Sequence, residues 1–404
     1  MKRVLFVDDD APLLSALRSR LRRMRGAWDM EFVSSGQEAI ARLEQQPFDV
    51  IVTDQRMPAM DGATLLQVVL ARWPRTVRIV LSGYAEADQI IRLVPLAHQY
   101  VSKPCEPERL ENVIIRCLAL QELLQQPVLR ELVGRMGQLP PAPKTFSQLQ
   151  RVMTSDSSSV GDVAALVSQD TVLAAKLLQI VNSGFFRVPR RITKIEQAVG
   201  YLGLNTVRNL LVSAEVFTSW RGPPRQDLLL LDTLQTHAIR TAAAVAGLVE
   251  DERMANDAQL AALLHDIGYV VLSYGCPREL QEARRVSTQE ALPLDEAERR
   301  VLGASHAEIG AYLLGIWGFP APVVEAVANH HAPSRVQSHD FDVLSALCIA
   351  HAFTEPTETA AFPGISVRHS EITPEYLSTV NAPFEWDEAR ERVERKICSE
   401  ESFP

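Results

Sequence analysis

Four short apolar runs in the first 103 residues end in side chains that can bind a cation or a phosphoryl group. These side chains are Asp8 and Asp9 after the first run, Asp54 after the second, Ser82 after the third and Lys103 after the fourth. Each run is followed by a helix-like pattern, which is typical of parallel strands in β-α-β units. Because the carboxyl ends of parallel strands share one edge of a sheet, we expect these residues to lie together.

The predicted cluster combines carboxylates with a lysine and a hydroxyl group. Clustered carboxylates repel one another unless a cation neutralises them, and oxygen-only ligands suit Mg²⁺. A lysine and a hydroxyl on the opposite side can stabilise a transferred phosphoryl group. The edge of the sheet is therefore predicted to hold magnesium and to handle a phosphoryl group.

With these landmarks at suitable spacing, residues 1–125 resemble a response-regulator receiver domain. The resemblance implies a flavodoxin-like α/β fold, doubly wound around five parallel strands, with Asp54 as the phospho-acceptor. The magnesium ligands that it implies are Asp8, Asp9, Asp54 and the backbone carbonyl of Arg56. The switch and phosphoryl-contact residues that it implies are Ser82, Tyr100 and Lys103.

Helical periodicity places the elements that must hold this site. The predicted receiver helices cover 12–24, a segment from Gly36, 62–72, 86–97 and 106–125. Beyond them we predict a linker helix at 126–138, which joins the receiver to an all-α domain at 139–355. The remaining residues, 356–404, show only a modest helical pattern from Trp386 and are interpreted as a C-terminal appendage.

Composition restricts the class of protein. The 404 residues predict two or three domains, and the net charge of -9 argues against broad electrostatic binding to DNA or to an anionic membrane. None of the five cysteines belongs to a Cys-x-x-Cys pair, which fits a reducing compartment. With neither a signal peptide nor a membrane span evident, we expect a cytoplasmic protein.

Histidines are concentrated in the second half of the chain. The candidate ligands of a metal site there are His237, His265, Asp266, His306, His330, His331 and His351. The His265-Asp266 pair lies in an apolar helical pattern, where both polar groups need partners. Imidazoles with one carboxylate suit Fe, Mn or Zn, and a carboxylate that bridges two such ions could help to activate water for phosphoester hydrolysis.

The order His, His-Asp, His, His-His resembles that of the HD-superfamily metal phosphohydrolases, and the nearer match is the HDOD output domain. Its supporting phrases are Asn182-Ser183, Gly203-Leu204, Leu264-His265-Asp266-Ile267-Gly268 and Trp317-Gly318-Phe319-Pro320, together with the Pro-rich segment 139–143. The resemblance implies an HD-like helical domain. Many HDOD domains have lost their metal ligands and resemble signalling or protein-binding modules.

The sequence departs from the patterns of the neighbouring families, and Thr233 stands where some relatives carry a glutamate one turn before the first histidine. Tyr269 stands where the cyclic-di-GMP phosphodiesterases of the HD-GYP class carry a lysine, and Ala332-Pro333-Ser334 stands in place of their Gly-Tyr-Pro phrase. His351 occupies the position of the usual last aspartate ligand of HD enzymes. We therefore expect little or no hydrolysis of cyclic-di-GMP.

Together these patterns predict a two-component response regulator. Its predicted partners are a sensor histidine kinase, downstream signalling proteins and a second copy bound through the receiver and linker helix, without DNA. The output domain is expected to act mainly as a protein-interaction module with a possible metal site. The alternative is a metal-dependent phosphohydrolase that acts on a nucleotide or cyclic dinucleotide.

Overall fold

The computed structural model describes most of the chain. The described residues are 1–82, 93, 96–103, 107–120, 124, 126–134, 152, 159–182, 188, 190–215, 225–336, 339–354 and 372–401. Most of the helix predicted at 86–97 and all of the Pro-rich segment 139–143 lie outside these residues. None of the helices in the described part of the chain is by itself long and apolar enough to cross a membrane.

The N-terminal domain is built on five parallel strands. They are β1 (Lys2–Val7), β2 (Trp28–Val33), β3 (Val50–Asp54), β4 (Val77–Ser82) and β5 (Gln99–Ser102). The sheet order is β2-β1-β3-β4-β5, and every neighbouring pair is parallel. The central strands are apolar on both faces because helices cover both sides of a parallel sheet. This arrangement confirms the predicted five-stranded fold.

Helices α1 (Ala11–Arg20), α2 (Gly36–Gln45), α3 (Gly62–Arg72) and α4 (Pro107–Leu120) surround this sheet. The side chains of Asp10, Ser35 and Asp61 accept backbone N–H groups at the starts of the first three helices. One predicted boundary differs from the structure, because α1 ends at Arg20 and a 3₁₀ turn, Leu21–Gly26, follows it. Residues 121–123 and 125 of the helix predicted at 106–125 lie outside the described residues. Helix α5 (Pro127–Gly134) begins at a proline, which suits a first helical turn, where no N–H is needed.

The rest of the described chain is helical, as predicted. Its helices are α6 (Val160–Ser168), α7 (Thr171–Val181), α8 (Ile195–Glu215), α9 (Arg225–Leu248), α10 (Glu252–Leu264), α11 (Ile267–Gly275), α12 (Pro277–Glu290), α13 (Leu294–Leu302), α14 (His306–Ile316), α15 (Ala321–Asn329), α16 (Val343–Thr354), α17 (Pro374–Thr379) and α18 (Trp386–Glu401). Helix α9 packs against α10, α16 and α18. These contacts gather the histidine-bearing helices around one apolar core.

The C-terminal segment belongs to that core. Ala389, Val393 and Ile397 of α18 are buried within the same apolar cluster as the central helices. A Cβ at Gly247 of α9 would lie 2.8 Å from the carbonyl oxygen of Arg392, so the two helices pack closely. Helix α18 is therefore part of the helical core and is not an appendage. Its apolar stripe is narrow, and charged residues occupy its outer face.

A buried arginine joins the sheet to the linker helix. Arg78 of β4 is fully buried, and its guanidinium donates hydrogen bonds to the carbonyl oxygens of Pro74, Thr76 and Leu96. It also donates to the carbonyl oxygen of Gly134, at 2.6 Å. Burial lowers the pKa of Arg78 to about 9, so the guanidinium stays charged at neutral pH. The end of α5 is thus fixed to the receiver core.

Candidate functional site

The acidic edge of the sheet brings together the residues that its strand pattern predicts. Each of Asp8, Asp9 and Asp54 offers a carboxylate oxygen, and these oxygens lie within 4.8 Å of one another. The ammonium of Lys103 lies 2.7 Å from Asp8 Oδ2 and 2.7 Å from Asp54 Oδ1. The edge therefore holds three carboxylates and one ammonium.

Local backbone geometry orients two of these carboxylates. The amide of Asp10 donates to Asp8 Oδ1 at 2.9 Å, and the amide of Arg56 donates to Asp54 Oδ2 at 3.3 Å. A Cβ at Gly62 would lie only 2.2 Å from the carbonyl oxygen of Asp54, so the turn after β3 can close tightly only with glycine there. The loop between β3 and α3 is thereby held against the site.

Charge balance at the edge favours a divalent cation. Burial raises the pKa of Asp54, while the neighbouring Lys103 ammonium opposes that rise. For Lys103 itself, burial acts to lower the pKa, but the hydrogen bonds and charges of Asp54 and Asp8 raise it overall. Three carboxylates against one ammonium leave an excess of negative charge on oxygen donors, and this donor set fits Mg²⁺.

The two predicted switch positions lie on the neighbouring strands. Ser82 is the last residue of β4, and Tyr100 lies in β5. The Tyr100 side chain is buried, and its hydroxyl donates to the carbonyl oxygen of Leu93 at 2.8 Å. Burial raises the pKa of Tyr100, so the phenol is neutral.

The second half of the chain brings all seven predicted residues into one place, named here the histidine pocket. Its members are His237, His265, Asp266, His306, His330, His331 and His351. The ring centroids of His265 and His330, which are 65 residues apart in the sequence, are 5.1 Å apart. The rings of His330 and His331 are 4.0 Å apart, and His351 lies 4.9 Å from His265.

Ligand atoms in the histidine pocket fall into two sets. One set comprises Asp266, His306, His330 and His331, and the other comprises His237, His265 and His351. Asp266 lies between them. Its Oδ2 is 3.2 Å from His265 Nε2, and its Oδ1 is 3.5 Å from His306 Nε2. A carboxylate in this position can bridge two ions.

Helix ends position the ligands. His265 directly follows α10 and Asp266 precedes α11, whereas His306 begins α14 and His330 follows α15. The start of α14 is held by a capping box between Ser305 and Glu308. These four ligands therefore lie where a rigid element meets a turn, whereas His237 lies inside α9 and His351 inside α16.

A glycine permits the closest approach between these elements. A Cβ at Gly268 would lie 1.9 Å from the carbonyl oxygen of His306, a distance that real Cβ atoms essentially never show. Only glycine lets α11 approach α14 this closely. The approach keeps Asp266 and His306 within reach of one ion.

Two residues beside His306 complete its surroundings. Glu298 of α13 is fully buried; its Oε2 lies 2.7 Å from His306 Nδ1 and accepts the His306 amide at 2.8 Å. The Tyr269 ring stacks on the His306 imidazole with centroids 3.9 Å apart. Glu298 is a site residue that the histidine pattern of the sequence does not predict. Its signal was a charged residue four positions after Leu294 and four before Leu302, on the buried stripe of an amphipathic helix.

The electrostatics of the pocket favour an ionised Asp266 and a neutral His330. Burial opposes ionisation of Asp266, but the neighbouring imidazoles of His265, His306 and His330 hold its pKa well below the usual range. Burial, followed by the repulsion of His265 and His306, lowers the pKa of His330. Burial acts to lower the pKa of His306 as well, yet Glu298 raises it overall.

The imidazole nitrogens of His265 and His330 are oriented so that Nε2 can ligate a metal ion. The Nδ1 atoms of His265 and His330 contact the carbonyl oxygens of Ala262 and Val327, at 2.7 and 2.8 Å. The buried Nε2 atom of His330 makes no hydrogen bond, and the Nε2 atom of His265 faces Asp266 Oδ2 at 3.2 Å. A neutral imidazole held through Nδ1 presents a lone pair at Nε2, which is the form that ligates metals. The donor set fits a borderline transition metal ion such as Fe, Mn or Zn.

Comparison with known families gives two matches along the chain. The family model of the response regulator receiver domain matches residues 4–115, and the model of the HDOD domain matches residues 139–333. The first match contains the acidic edge. The second contains the histidine pocket except for His351.

Individual relatives match parts of the chain. An uncharacterized protein of Treponema pallidum is 30% identical over 206 residues, covering 50% of this chain and 39% of the relative. The hydrogenase transcriptional regulatory protein HoxA of Cupriavidus necator is 35% identical over 184 residues, covering 41% of this chain and 37% of HoxA. The chain thus spans less than two fifths of the length of either curated relative.

One solved structure resembles the N-terminal domain. It is the signal receiver domain of an HD domain-containing protein from Pseudomonas fluorescens, with 25% identity and a TM-score of 0.29. The match covers 30% of this chain and 97% of that one.

Proposed function

Because the chain consists of a response regulator receiver domain followed by an HDOD domain, we propose that phosphorylation of Asp54 controls the HDOD domain. In this proposal the HDOD domain acts mainly as a signalling module that binds other proteins. A receiver domain implies a sensor histidine kinase as the phosphoryl donor. The downstream partners and a homodimer through the receiver and linker helix are parts of the proposal.

The observation that carries this function is the geometry of the acidic edge. Lys103 pairs with Asp8 and Asp54 at 2.7 Å each, at the carboxyl ends of β1 and β3. Asp54 is partly exposed, with 13% of its side chain accessible, whereas Asp8 is almost fully buried. A donor can therefore reach Asp54, while Asp8 is positioned to support a cation.

The transfer is a displacement at phosphorus. A carboxylate oxygen of Asp54 forms a bond to the phosphorus of the donor, and the P–N bond of a phosphohistidine breaks, with its electron pair leaving on the imidazole. The Lys103 ammonium, already beside Asp54, moves onto an oxygen of the transferred group and stabilises its charge. With acetyl phosphate the bond that breaks is P–O, and acetate leaves.

Magnesium would be held by Asp8, Asp9, Asp54 and the backbone carbonyl of Arg56. When bound, it neutralises charge on the phosphoryl oxygens during transfer. Without a cation the carboxylates would repel the incoming phosphoryl group. We expect labelling to require Mg²⁺ for this reason.

A mass measurement tests the receiver half of the proposal. Wild-type protein incubated with acetyl phosphate and Mg²⁺ should gain one phosphoryl group by intact mass, and Asp54→Asn should gain none. Asp61→Asn is the matched control because Asp61 follows in the same loop and caps α3. Equal labelling of wild type and Asp54→Asn would refute the assignment.

A second candidate function for the HDOD domain is metal-dependent phosphoester hydrolysis. The observation in its favour is that Asp266 belongs to one set of ligands and also lies 3.2 Å from His265 Nε2 of the other set. Against cyclic-di-GMP as the substrate stands Tyr269, which is buried on His306 and offers no positive charge for a phosphate. Metal-dependent turnover of a nucleotide that is lost in both His265→Ala and Asp266→Asn would establish the enzyme reading.

A further inference from the structure

Four glycines of the helical domain lie under side chains of the receiver and linker. These residues, named here the glycine face, are Gly275, Gly303, Gly315 and Gly318. A Cβ at Gly315 would lie 2.4 Å from Leu120 Cδ1, and one at Gly275 would lie 1.9 Å from Leu132 Cδ1. The side chains opposite Gly303 and Gly318 are Gln126 and Gln99. A Cβ at any of the four positions would require the side chain opposite it to move.

Three residues of the glycine face lie at the ends of elements that also hold the histidine pocket. Gly315 lies in the last turn of α14, the helix that begins at His306. Gly275 ends α11, which begins directly after Asp266. Gly303 follows α13 and comes three residues before His306. These helices span only 9 and 11 residues, so a shift at one end is transmitted to the other.

The receiver side of this contact leads back to the acidic edge. Gln99, opposite Gly318, starts β5, and the strand ends one residue before Lys103. The carbonyl of His98 accepts a hydrogen bond from Gln179 of α7, at 3.0 Å. The Arg116 guanidinium of α4 donates to the carbonyl oxygen of Phe319. A phosphoryl group on Asp54 would draw Lys103 from its two ion pairs and change the position of this strand.

We propose that the glycine face is a docking surface for the receiver and linker of the same chain, and that docking and metal binding at the histidine pocket favour each other. Phosphorylation of Asp54 opposes both, since it loosens the contact that holds α11 and α14 in place. The linkage is reciprocal: a metal ion in the pocket weakens binding of a phosphoryl mimic at the receiver. This inference rests on the proposed function of both sites.

Cobalt(II) provides the test because imidazole ligands give it visible d–d absorption. Full-length protein is titrated with Co²⁺ in excess Mg²⁺, with and without beryllofluoride as a phosphoryl mimic. We expect beryllofluoride to raise the apparent Kd for Co²⁺ about fivefold or more, a typical coupling between sites. Saturating Co²⁺ should weaken beryllofluoride binding, followed by fluorine NMR, by the same factor. Asp54→Asn should show no response to beryllofluoride.

Substitutions on α4 test whether the coupling between the two sites passes through the glycine face. Leu120→Asp places a charge against Gly315; it should weaken Co²⁺ binding to a similar extent and remove the further response to beryllofluoride. Ile115→Asp is the matched control, since Ile115 is 41% exposed on the same helix, and it should behave as wild type. Leu120→Ala, which removes the contact without adding charge, should give the same direction of change if Leu120→Asp fails to fold.

The outcomes separate the linkage from the sites on which it rests. Absorption that appears with the same Kd in the presence and absence of beryllofluoride overturns the linkage and leaves the metal site intact. No absorption in wild-type protein overturns the metal site and the linkage together. A wild-type response in folded Leu120→Asp protein overturns the route through the glycine face.

Discussion

The acidic edge and the histidine pocket solve the problem of buried charge in opposite ways. At the edge, three carboxylates are offset by a lysine, and the ligands lie at the ends of strands or directly after them. In the pocket, one carboxylate lies among six imidazoles, which are carried on or next to helices. The first arrangement suits an exchangeable Mg²⁺ and a transient phosphoryl group. The second suits an ion that is held by nitrogen and stays in place.

Removing the charge of Asp266 should have the largest effect, because it separates the histidine pocket from the acidic edge in metal affinity. Asp266→Asn should reduce the affinity of the pocket for Co²⁺ at least about 100-fold, since loss of a ligand exceeds the 10- to 100-fold effect of an outer partner. Phosphorylation of Asp54 by acetyl phosphate should still reach the wild-type extent. Asp257→Asn on α10 makes the same chemical change outside the pocket. Equal cobalt affinity in Asp266→Asn and wild type would show that Asp266 is not a ligand.

Removing the charge of Glu298 should have the next largest effect on the affinity for Co²⁺. Glu298→Gln keeps the shape of the side chain but removes the charge beside His306 Nδ1. We expect an affinity for Co²⁺ that is about 10- to 100-fold lower, because carboxylate partners orient ligating histidines and raise their basicity. Glu296→Gln, exposed on the same helix, is the control. If both variants bind Co²⁺ like wild type, Glu298 has no part in metal binding.

The close packing of α11 against α14, which positions Asp266 and His306, can be tested at Gly268. Gly268→Ala puts a methyl group 1.9 Å from the His306 carbonyl oxygen, so α11 and α14 must separate. We expect the free energy of unfolding to fall by about 1–3 kcal/mol, as for other overpacked sites. Gly200→Ala is the control because its Cβ would come no nearer than 4.0 Å to Val160 Cγ1. A Gly268→Ala protein as stable as wild type would contradict the close approach.

Two lysines, Lys103 and Lys176, differ in the partners of their ammonium groups, and the expected effect of this difference is smaller. Lys103 has carboxylate partners, whereas the Lys176 ammonium faces Gln179 and lies 4.0 Å from the Trp317 ring centroid. Burial, with a smaller contribution from Arg78, lowers the pKa of Lys176 to about 7. The unfolded chain, with a lysine pKa of about 10.4, then binds more protons between these values, so stability rises with pH across this window.

Replacing this lysine should remove that slope. Relative to wild type, Lys176→Met should gain stability as the pH falls from 10 towards 7, and the change should stay below about 1.4 kcal/mol per pH unit. The Trp317 face favours the charged ammonium and makes the slope shallower. Urea unfolding at pH 7 and pH 9 measures this pH dependence of the free energy of unfolding. Lys194→Met is the control, since the Lys194 side chain is 42% exposed. A difference between Lys176→Met and wild type that does not change with pH would contradict the lowered pKa.

Most of the two sites could be predicted from the sequence because their residues mark the ends of regular elements. The apolar runs that end in Asp8, Asp54 and Lys103 specify a shared sheet edge, since parallel strands allow few other arrangements. The order of the histidines located the pocket, although spacing alone could not give its geometry. Glu298 was missed because one charged residue in an amphipathic helix is usually solvated. That the edge binds Mg²⁺ and the pocket a transition metal stays a prediction.

Docking between the domains could not be predicted in the same way. The contacts of Gly303 with Gln126 and of Gly315 with Leu120 join segments whose own patterns specify only helices and turns. Periodicity reports which face of a helix is buried but not which domain covers it. The burial of Val393 in α18 escaped prediction for a related reason, because acidic and basic residues surround its narrow apolar stripe.

The guanidinium of Arg78 has a practical consequence for dissecting the chain. A receiver fragment that stops at residue 125, where its sequence pattern ends, lacks the Gly134 carbonyl that accepts from this fully buried cation. Loss of a hydrogen bond to a charged group costs about 1.5–3 kcal/mol, a large share of the stability of a small domain. A fragment that extends through residue 134 keeps the acceptor. Isolated-receiver measurements should therefore begin from the longer fragment, whose melting temperature we expect to be higher.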